Sequence, residues 1–442
     1  MFEKILLQQN PHWDGVLYEP GIRRSSFATL LEFMSTRMIV ALMGVRRAGK
    51  STCLKQLINH LITQENVDPR SILFLNVEHP YFVQYAHDIV NLEKIFDDYI
   101  RMCAPKGKIY CFLDEVQFFQ KWEVFVKAHF ESNQIKFVIT GSNSALLVSE
   151  LMTLLSGRAL SLDIYPLSFE EIVQFHKIDC TDRIKVTKAR HELQKLYQEY
   201  LQYGGFPEII SLKNRNLSYN LLNAYAKSIL YQDVAPRLEV KHSVALEKLF
   251  VYLISHVGKP FSYHKLASLF SLSDKHIKEF IKGFSDAYLL FELDIFAYSL
   301  QKQIRNPKKI YSIDVGQVQA ASFAFSENRG RILENAIFLE LKRRGCELYY
   351  YKTKTGLEID FLAKHEGQYA LIQVAWSLTD HETKEREVKA LFMAMDEMQI
   401  NKALIVTIEE EEVITQNDKE VTVVPAYAFC TNQSYCPKGK NC

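Results

Sequence analysis

Missing from this sequence is any run of the roughly 20 uninterrupted apolar residues that a membrane-spanning helix needs. Met1–Asn10 also has neither the short basic stretch nor the long apolar core of a secretory signal. The expectation is a cytoplasmic protein with no membrane partner. An excess of one charge is absent too: 53 Lys and Arg face 52 Asp and Glu, for a formal net charge of +1. Any surface for nucleic acid must therefore be local, because global basicity cannot supply it. Cysteine is sparse, eight residues in 442, which excludes a disulfide framework. Cys53 and Cys111 fall inside apolar segments where reduced thiols pack well. Cys430, Cys436 and Cys442 crowd the last 13 residues at gaps that match no standard zinc spacing, so 430–442 is expected to be a disordered, reduced tail. With 48% apolar residues the chain can bury several cores, and two to four domains are expected.

What is present begins at Gly44-Val45-Arg46-Arg47-Ala48-Gly49-Lys50-Ser51, preceded by apolar Met38–Met43 and followed by a helical pattern through Thr52. Between a buried strand and a helix, this is the pattern of a phosphate-binding loop. Consecutive backbone N–H groups of Gly44 to Thr52 wrap the β-phosphate, and the helix directs its positive end at the same anion. Lys50 is placed to reach the β- and γ-phosphates, and the Ser51 hydroxyl to join the shell of a Mg²⁺ ion. ATP or GTP is the implied ligand.

A second apolar run, Ile109–Leu113, has the continuity of a buried parallel strand and stops at Asp114-Glu115. Downstream of a phosphate loop, Asp114 is the candidate to hold Mg²⁺ and Glu115 the candidate general base; the bland alternative for paired acids is a solvated loop. A third strand, Lys136–Thr140, ends in Gly141-Ser142-Asn143. There Asn143 or Ser142 either orients the attacking water or caps a helix. Arg158, just before the strand Leu160–Tyr165, is a candidate to neutralise transition-state charge on a nucleotide in a neighbouring subunit.

GVRRAGKS, FLDEVQ, ITGSNS and the Ser156-Gly157-Arg158 triplet together resemble the AAA+ ATPases. Tyr203-Gly204-Gly205-Phe206-Pro207 and Tyr231-Gln232-Asp233-Val234 resemble, more narrowly, a prokaryotic AAA+ subfamily whose ATPase is followed by a carboxy-terminal domain of unknown function. The resemblance implies a P-loop α/β three-layer sandwich, ATP rather than GTP, and a homo-oligomer.

The organisation expected from these readings has six parts. They are an amino-terminal extension at 1–20, the ATPase core at 21–166, a helical lid at 167–241, a winged-helix-like module at 242–316, an endonuclease-like α/β domain at 317–429 and the tail. In the lid, Gly204-Gly205 before Pro207 breaks the helical run, and Arg237 is a candidate to reach the γ-phosphate. The next module combines helical patterns at Ala245–Ser255, Tyr263–Phe270 and, capped by Ser273, up to about Ala287 with extended segments Tyr288–Phe296 and Lys309–Ile313. Its third helix carries Lys275, His276, Lys278 and Lys282, and its wing carries Gln303, Arg305, Lys308 and Lys309. This is either a reader of double-stranded DNA or a solvated face on a protein-interaction module.

The last domain resembles the restriction-endonuclease-like PD-(D/E)XK nucleases. Glu334 on a helix, Asp360 on a strand and Gln373 on the next match the metal-binding pattern, while Ala375 stands where the family carries lysine. Without that ammonium, metal binding can survive while cleavage falters. Glu409–Glu412 is expected to be the solvated turn of a closing strand pair. The reading that unites these parts is an ATPase that moves attached modules, on DNA. Its rivals are a nucleotide-controlled protein-interaction switch and an ATP-gated metal-dependent nuclease.

Overall fold

In the computed structural model, residues 2–131, 134–142, 157–180, 182–212, 214–238, 243–321, 329–432 and 435 are described. Asn143, Cys436 and Cys442 lie outside them. The chain divides into two compact units, Met1–Tyr165 with Asp286–Tyr288, and Pro166–Ser285 with Leu289–Cys442.

The first unit is built on five strands: β1 (Ile39–Met43), β2 (Ile72–Asn76), β3 (Ile109–Asp114), β4 (Ile135–Gly141) and β5 (Ala159–Asp163). Their order is β2-β3-β4-β1-β5 and every pairing is parallel. Every residue of β1 and β4 is buried, as an all-parallel sheet covered on both faces requires. β4 lies between β1 and β3, so the loop after β1 and the acids ending β3 open at the same carboxyl edge, flanking the end of β4. In open α/β sheets that edge is where ligands bind.

The amino-terminal extension packs onto the sheet through its apolar residues. Helix Glu3–Gln9 and the 3₁₀ turn Pro11–Asp14 bury Phe2, Leu6 and Trp13; the Trp13 indole stacks on Tyr99 at 5.7 Å and donates to the Ile72 carbonyl at 2.7 Å. Asn10 continues the attachment, donating to the Phe74 carbonyl and accepting from the Phe74 N–H, at 3.0 and 2.7 Å.

In the second unit, helices Phe169–Phe175, Arg190–Tyr203 and Asn216–Ile229 are followed by a π-helical turn at Leu230–Val234. Between them the Gly204-Gly205 break has a tertiary cause. A Cβ on Gly204 (φ +76°) would lie 2.0 Å from Asp314 Oδ1, and one on Gly205 2.2 Å from the Leu167 carbonyl oxygen. Asp314 Oδ2 accepts the Gly205 N–H at 2.7 Å, so this turn is a packed joint.

Next come helix Ser243–Ile254, β6 (Pro260–Phe261), helices Tyr263–Phe270 and Asp274–Asp286, β7 (Leu290–Leu293) and β8 (Lys308–Ser312). The three strands form an antiparallel sheet with β8 in the centre. Helix Arg329–Arg343 then precedes β9 (Glu347–Lys352), β10 (Glu358–His365), β11 (Gln368–Val374), helix His381–Met398, β12 (Lys402–Thr407), β13 (Glu412–Gln416) and β14 (Lys419–Pro425). These six strands form a mixed sheet ordered β13-β14-β12-β11-β10-β9.

Two expectations need correction here. β12 and β14 pair in parallel, with β13 as an added edge strand, so Glu409–Glu412 does not join a simple closing pair. Within it Glu410 accepts from Ser377 Oγ at 2.5 Å and the Leu378 N–H at 3.0 Å, which makes it a cap on the neighbouring loop. Cys430 belongs to helix Ala426–Thr431, buried with its Sγ 3.9 Å from Tyr197 Oη, and is not part of a loose tail. Among the described residues, no helix is long and apolar enough to cross a membrane.

Candidate functional site: two buried lysines among carboxylates

The phosphate loop runs from β1 into helix Lys50–Thr63, with Arg47 (φ +67°) and Gly49 (φ +102°) turning it left-handed. Lys50 is 3% exposed. Its ammonium donates to the carbonyls of Gly44 and Val45 at 3.0 and 3.2 Å and lies 3.3 Å from Glu115 Oε1. The acid pair and the loop are thus one site, as the sequence reading required of Asp114, Glu115 and Lys50.

Asp114 accepts from Thr140 Oγ1 at 2.6 Å, and the same hydroxyl accepts the Glu115 N–H at 2.9 Å. Burial raises the Asp114 pKa, helped by the Glu115 charge and opposed by hydrogen bonds from Thr140 and Ser51. Ser51 and Asp114, the two residues expected to share Mg²⁺, are therefore in contact. Burial pushes Glu115 up as well, but the Lys50 charge, the Gln117 hydrogen bond and the Arg46 charge outweigh it and hold Glu115 below its ordinary value. Glu115 itself is left-handed (φ +58°), which turns the chain sharply at the end of β3.

Sequence reasoning missed Thr140 and Gln117. Thr140 was legible as the last polar residue of a strand that must neighbour the acids. Gln117 carries no periodic signal. Arg46 pairs with Glu78 at 2.9 Å and lies over the Phe118 ring. Arg158 is half exposed, 3.5 Å from Glu131 Oε1 and over the Phe130 ring, away from the Lys50 cluster's hydrogen bonds.

The second unit holds another lysine among acids. Lys309, 2% exposed at its side chain, lies 3.0 Å from Glu334 Oε1, 2.9 Å from Glu358 Oε1 and 3.2 Å from Asp360 Oδ1. Tyr311, two residues along β8 and on the same face, donates to Glu334 at 2.6 Å and stacks on Phe338 at 4.3 Å. An irregularity in the β9–β10 register between Ile359 and Leu362 frames Asp360. Asp360 accepts the Val374 N–H at 3.0 Å, and its own N–H donates to Gln373 Oε1 at 3.1 Å. Burial lowers the Lys309 pKa, but the charges of Glu334, Asp360 and Glu358 more than reverse this and keep the ammonium protonated. Burial and the Asp360 charge raise Glu334.

Lys309 joins Glu334 to Asp360, and Gln373 is bonded to Asp360, so the three residues grouped by the resemblance lie in one cluster. Ala375 is buried in an apolar cluster with Ile359, Leu391 and Val423. Among the described residues, no group of three His, Cys, Asp and Glu side chains is arranged to hold a metal ion.

The expected DNA-facing set is corrected by the same observation. Lys309 is buried, and Lys308 is occupied by Asp294 at 2.9 Å and Glu292 at 3.8 Å. Lys275, Lys278, Lys282 and Arg305 are exposed, with Lys278 over the Tyr263 ring and Lys275 3.8 Å from Glu279. The reason is strand alternation: a lysine on the inward face of a central strand cannot serve a surface.

The five-stranded parallel sheet of the first unit, with its glycine-rich loop leading into the helix at Lys50, is a P-loop α/β fold, and residues 36–173 match the AAA domain family. Residues 36–173 therefore form an AAA domain. Residues 194–328 and 329–429 match two domains of unknown function, DUF8612 and DUF4143. An uncharacterized protein of Methanocaldococcus jannaschii is 34% identical over 88% of this chain and 88% of its own length. One from Haemophilus influenzae is 31% identical over 82% of this chain and 88% of its own. The chain belongs to the family of these proteins. Among solved structures, a Walker-type ATPase of Pyrococcus abyssi is 14% identical, covers 69% of this chain and 98% of its own, and superposes with a TM-score of 0.40.

Proposed function

We propose that the chain hydrolyses ATP with Mg²⁺ and uses the cycle to reposition its second unit on double-stranded DNA. The observation that carries the hydrolytic part is the Lys50 ammonium, held between two loop carbonyls and Glu115. Those are partners a phosphate can replace. Lys50 binds the β- and γ-phosphates, with the backbone from Gly44 to Thr52 around them. Ser51 and Asp114, already in contact, would hold Mg²⁺, which supplies charge neutralisation at the phosphates. Glu115 accepts the proton of the water that attacks the γ-phosphorus; the bond to the β-phosphate bridging oxygen breaks, and ADP leaves with that electron pair. Arg158 and Asn143 are further candidates, the first toward a nucleotide in a neighbouring copy, the second toward the water. The test is ATP turnover by wild type and Lys50→Ala with and without duplex DNA. DNA-stimulated turnover that vanishes in the variant supports the proposal; turnover indifferent to DNA favours a switch acting on protein.

The element order helix, strand, helix, helix, strand, short helix, strand, with the last strand central, supports a winged-helix reading of 242–316, with Lys275, Lys278 and Lys282 toward DNA; Gln303 and Arg305, expected on an extended wing, lie instead on the short helix Leu300–Arg305. A helix followed by the β9–β10–β11 meander, a helix and β12 supports the endonuclease-like reading of the last domain. We infer that this domain binds and does not cleave. Lys309 fills with its own ammonium the position between Glu334 and Asp360 that a cation would take. Gly258 closes it from the side, since a Cβ there would lie 2.8 Å from Glu334 Oε2. Plasmid cleavage by the wild type with Mn²⁺, lost in Asp360→Ala, would overturn that inference.

A further inference from the structure

Gln117 sits in the 3₁₀ turn Val116–Phe118 that follows the left-handed Glu115. Its amide nitrogen donates twice, to Glu115 Oε2 at 2.6 Å and to Ser142 Oγ at 3.1 Å. Its amide oxygen is buried and has no hydrogen-bond partner among the described residues. The two oxygens of Glu115 are thus held by different donors, Oε1 by Lys50 and Oε2 by Gln117.

These donors differ in what a nucleotide does to them. Lys50 is drawn to the phosphates, which frees Oε1. Gln117 is neutral, has no phosphate to follow, and is anchored by Ser142 just past the end of β4. We propose that Gln117 is the positioning residue of the ATPase reaction. It keeps the Glu115 carboxylate aimed after Lys50 departs, and its orphan oxygen accepts the second hydrogen of the water that Glu115 deprotonates. The same link passes movement at the end of β4, through Ser142, to the base. This rests on the reading of Glu115 as general base.

The geometry makes the link demanding. Two hydrogen bonds from one nitrogen fix the carboxamide rotamer, and a side chain one methylene shorter cannot span both partners. Loss of aim at a reacting centre costs on the order of 10- to 100-fold in rate.

The test is single-turnover hydrolysis with fluorescent-nucleotide binding, on the full chain, for Gln117→Ala, the near-isosteric Gln117→Glu, Ser142→Ala and Glu115→Gln. Gln117→Ala is expected to lower the chemical rate about 10- to 100-fold with nucleotide affinity unchanged within about twofold. Gln117→Glu should lose at least as much, because it keeps the shape but removes the donor. Ser142→Ala should lose less and be sub-additive with Gln117→Ala. In the Glu115→Gln background, Gln117→Ala should cost nothing further.

A wild-type rate in Gln117→Ala beside a crippled Glu115→Gln overturns this proposal alone. So does equal loss in both backgrounds, or a loss confined to nucleotide affinity. A normal rate in Glu115→Gln removes the base itself, and the proposal with it.

Discussion

Lys50 and Lys309 are both buried and both lie within 3.3 Å of carboxylates, yet their surroundings assign them opposite work. Lys50 is held by two neutral carbonyls and one carboxylate at the carboxyl edge of a parallel sheet, beside a helix amino-terminus. That assembly has positive potential to spare and is suited to an anion. Lys309 is held by three carboxylates and walled by Tyr311 and Tyr350. It is consumed by its own protein. A lysine's function is thus set by whether its partners can be exchanged for a ligand, and only secondarily by its burial.

The comparison breaks most clearly by deleting each ammonium. Lys309→Ala strands Glu334, Glu358 and Asp360, and should cost the second unit about 3–5 kcal/mol in denaturant unfolding. Lys50→Ala should leave unfolding nearly unchanged while nucleotide binding and turnover vanish. Equal stability losses in the two variants would erase the distinction. Next in size, Glu115→Gln should slow hydrolysis by about 10²- to 10⁴-fold with ATP still bound, measured by single turnover and nucleotide retention.

One more buried carboxyl, with no lysine beside it among the described residues, sharpens the contrast. Asp314 has backbone N–H groups of Gly205 and Gln317 for partners, and burial raises its pKa from 3.8 to about 6 against those bonds. Between these values the folded state holds a proton that the unfolded state has lost. Its stabilising effect is therefore complete below about pH 4 and fades as pH rises through about 6, by up to about 3 kcal/mol. Asp314→Asn should flatten that part of the stability–pH curve; an unchanged slope would show that Asp314 ionises normally. The smallest effect belongs to the exposed face. If DNA is bound there, each of Lys275→Gln, Lys278→Gln and Lys282→Gln should weaken binding and reduce the salt slope by about 0.9, while Lys308→Gln should change it little.

Much of the Lys50 site was readable along the chain because its parts are contiguous. A phosphate loop is one segment, and an apolar run ending in Asp114-Glu115 marks its own strand end. The strands at 308–312 and 368–374 followed from hydropathy within one or two residues. Cys430 and Lys309 were misread for a common reason. Each is polar or basic by local standards, and each is buried by a partner far along the chain: Cys430 is 233 residues from Tyr197, and Lys309 is 51 residues from Asp360.

The sequence by itself marked the phosphate-type loop at Gly44–Ser51 and the acids Asp114 and Glu115 as parts of one candidate site, because backbone geometry and charge over a few residues define that pattern. It also placed Glu334, Asp360 and Gln373 as candidates for one cluster. Only the tertiary structure decided what that cluster contains. Lys309 reaches it from another sheet, 25 residues before Glu334 and 51 before Asp360, and no local period encodes such a meeting. The physical reason is that a buried charge is stable only where its counter-charges converge, and that convergence is a property of packing.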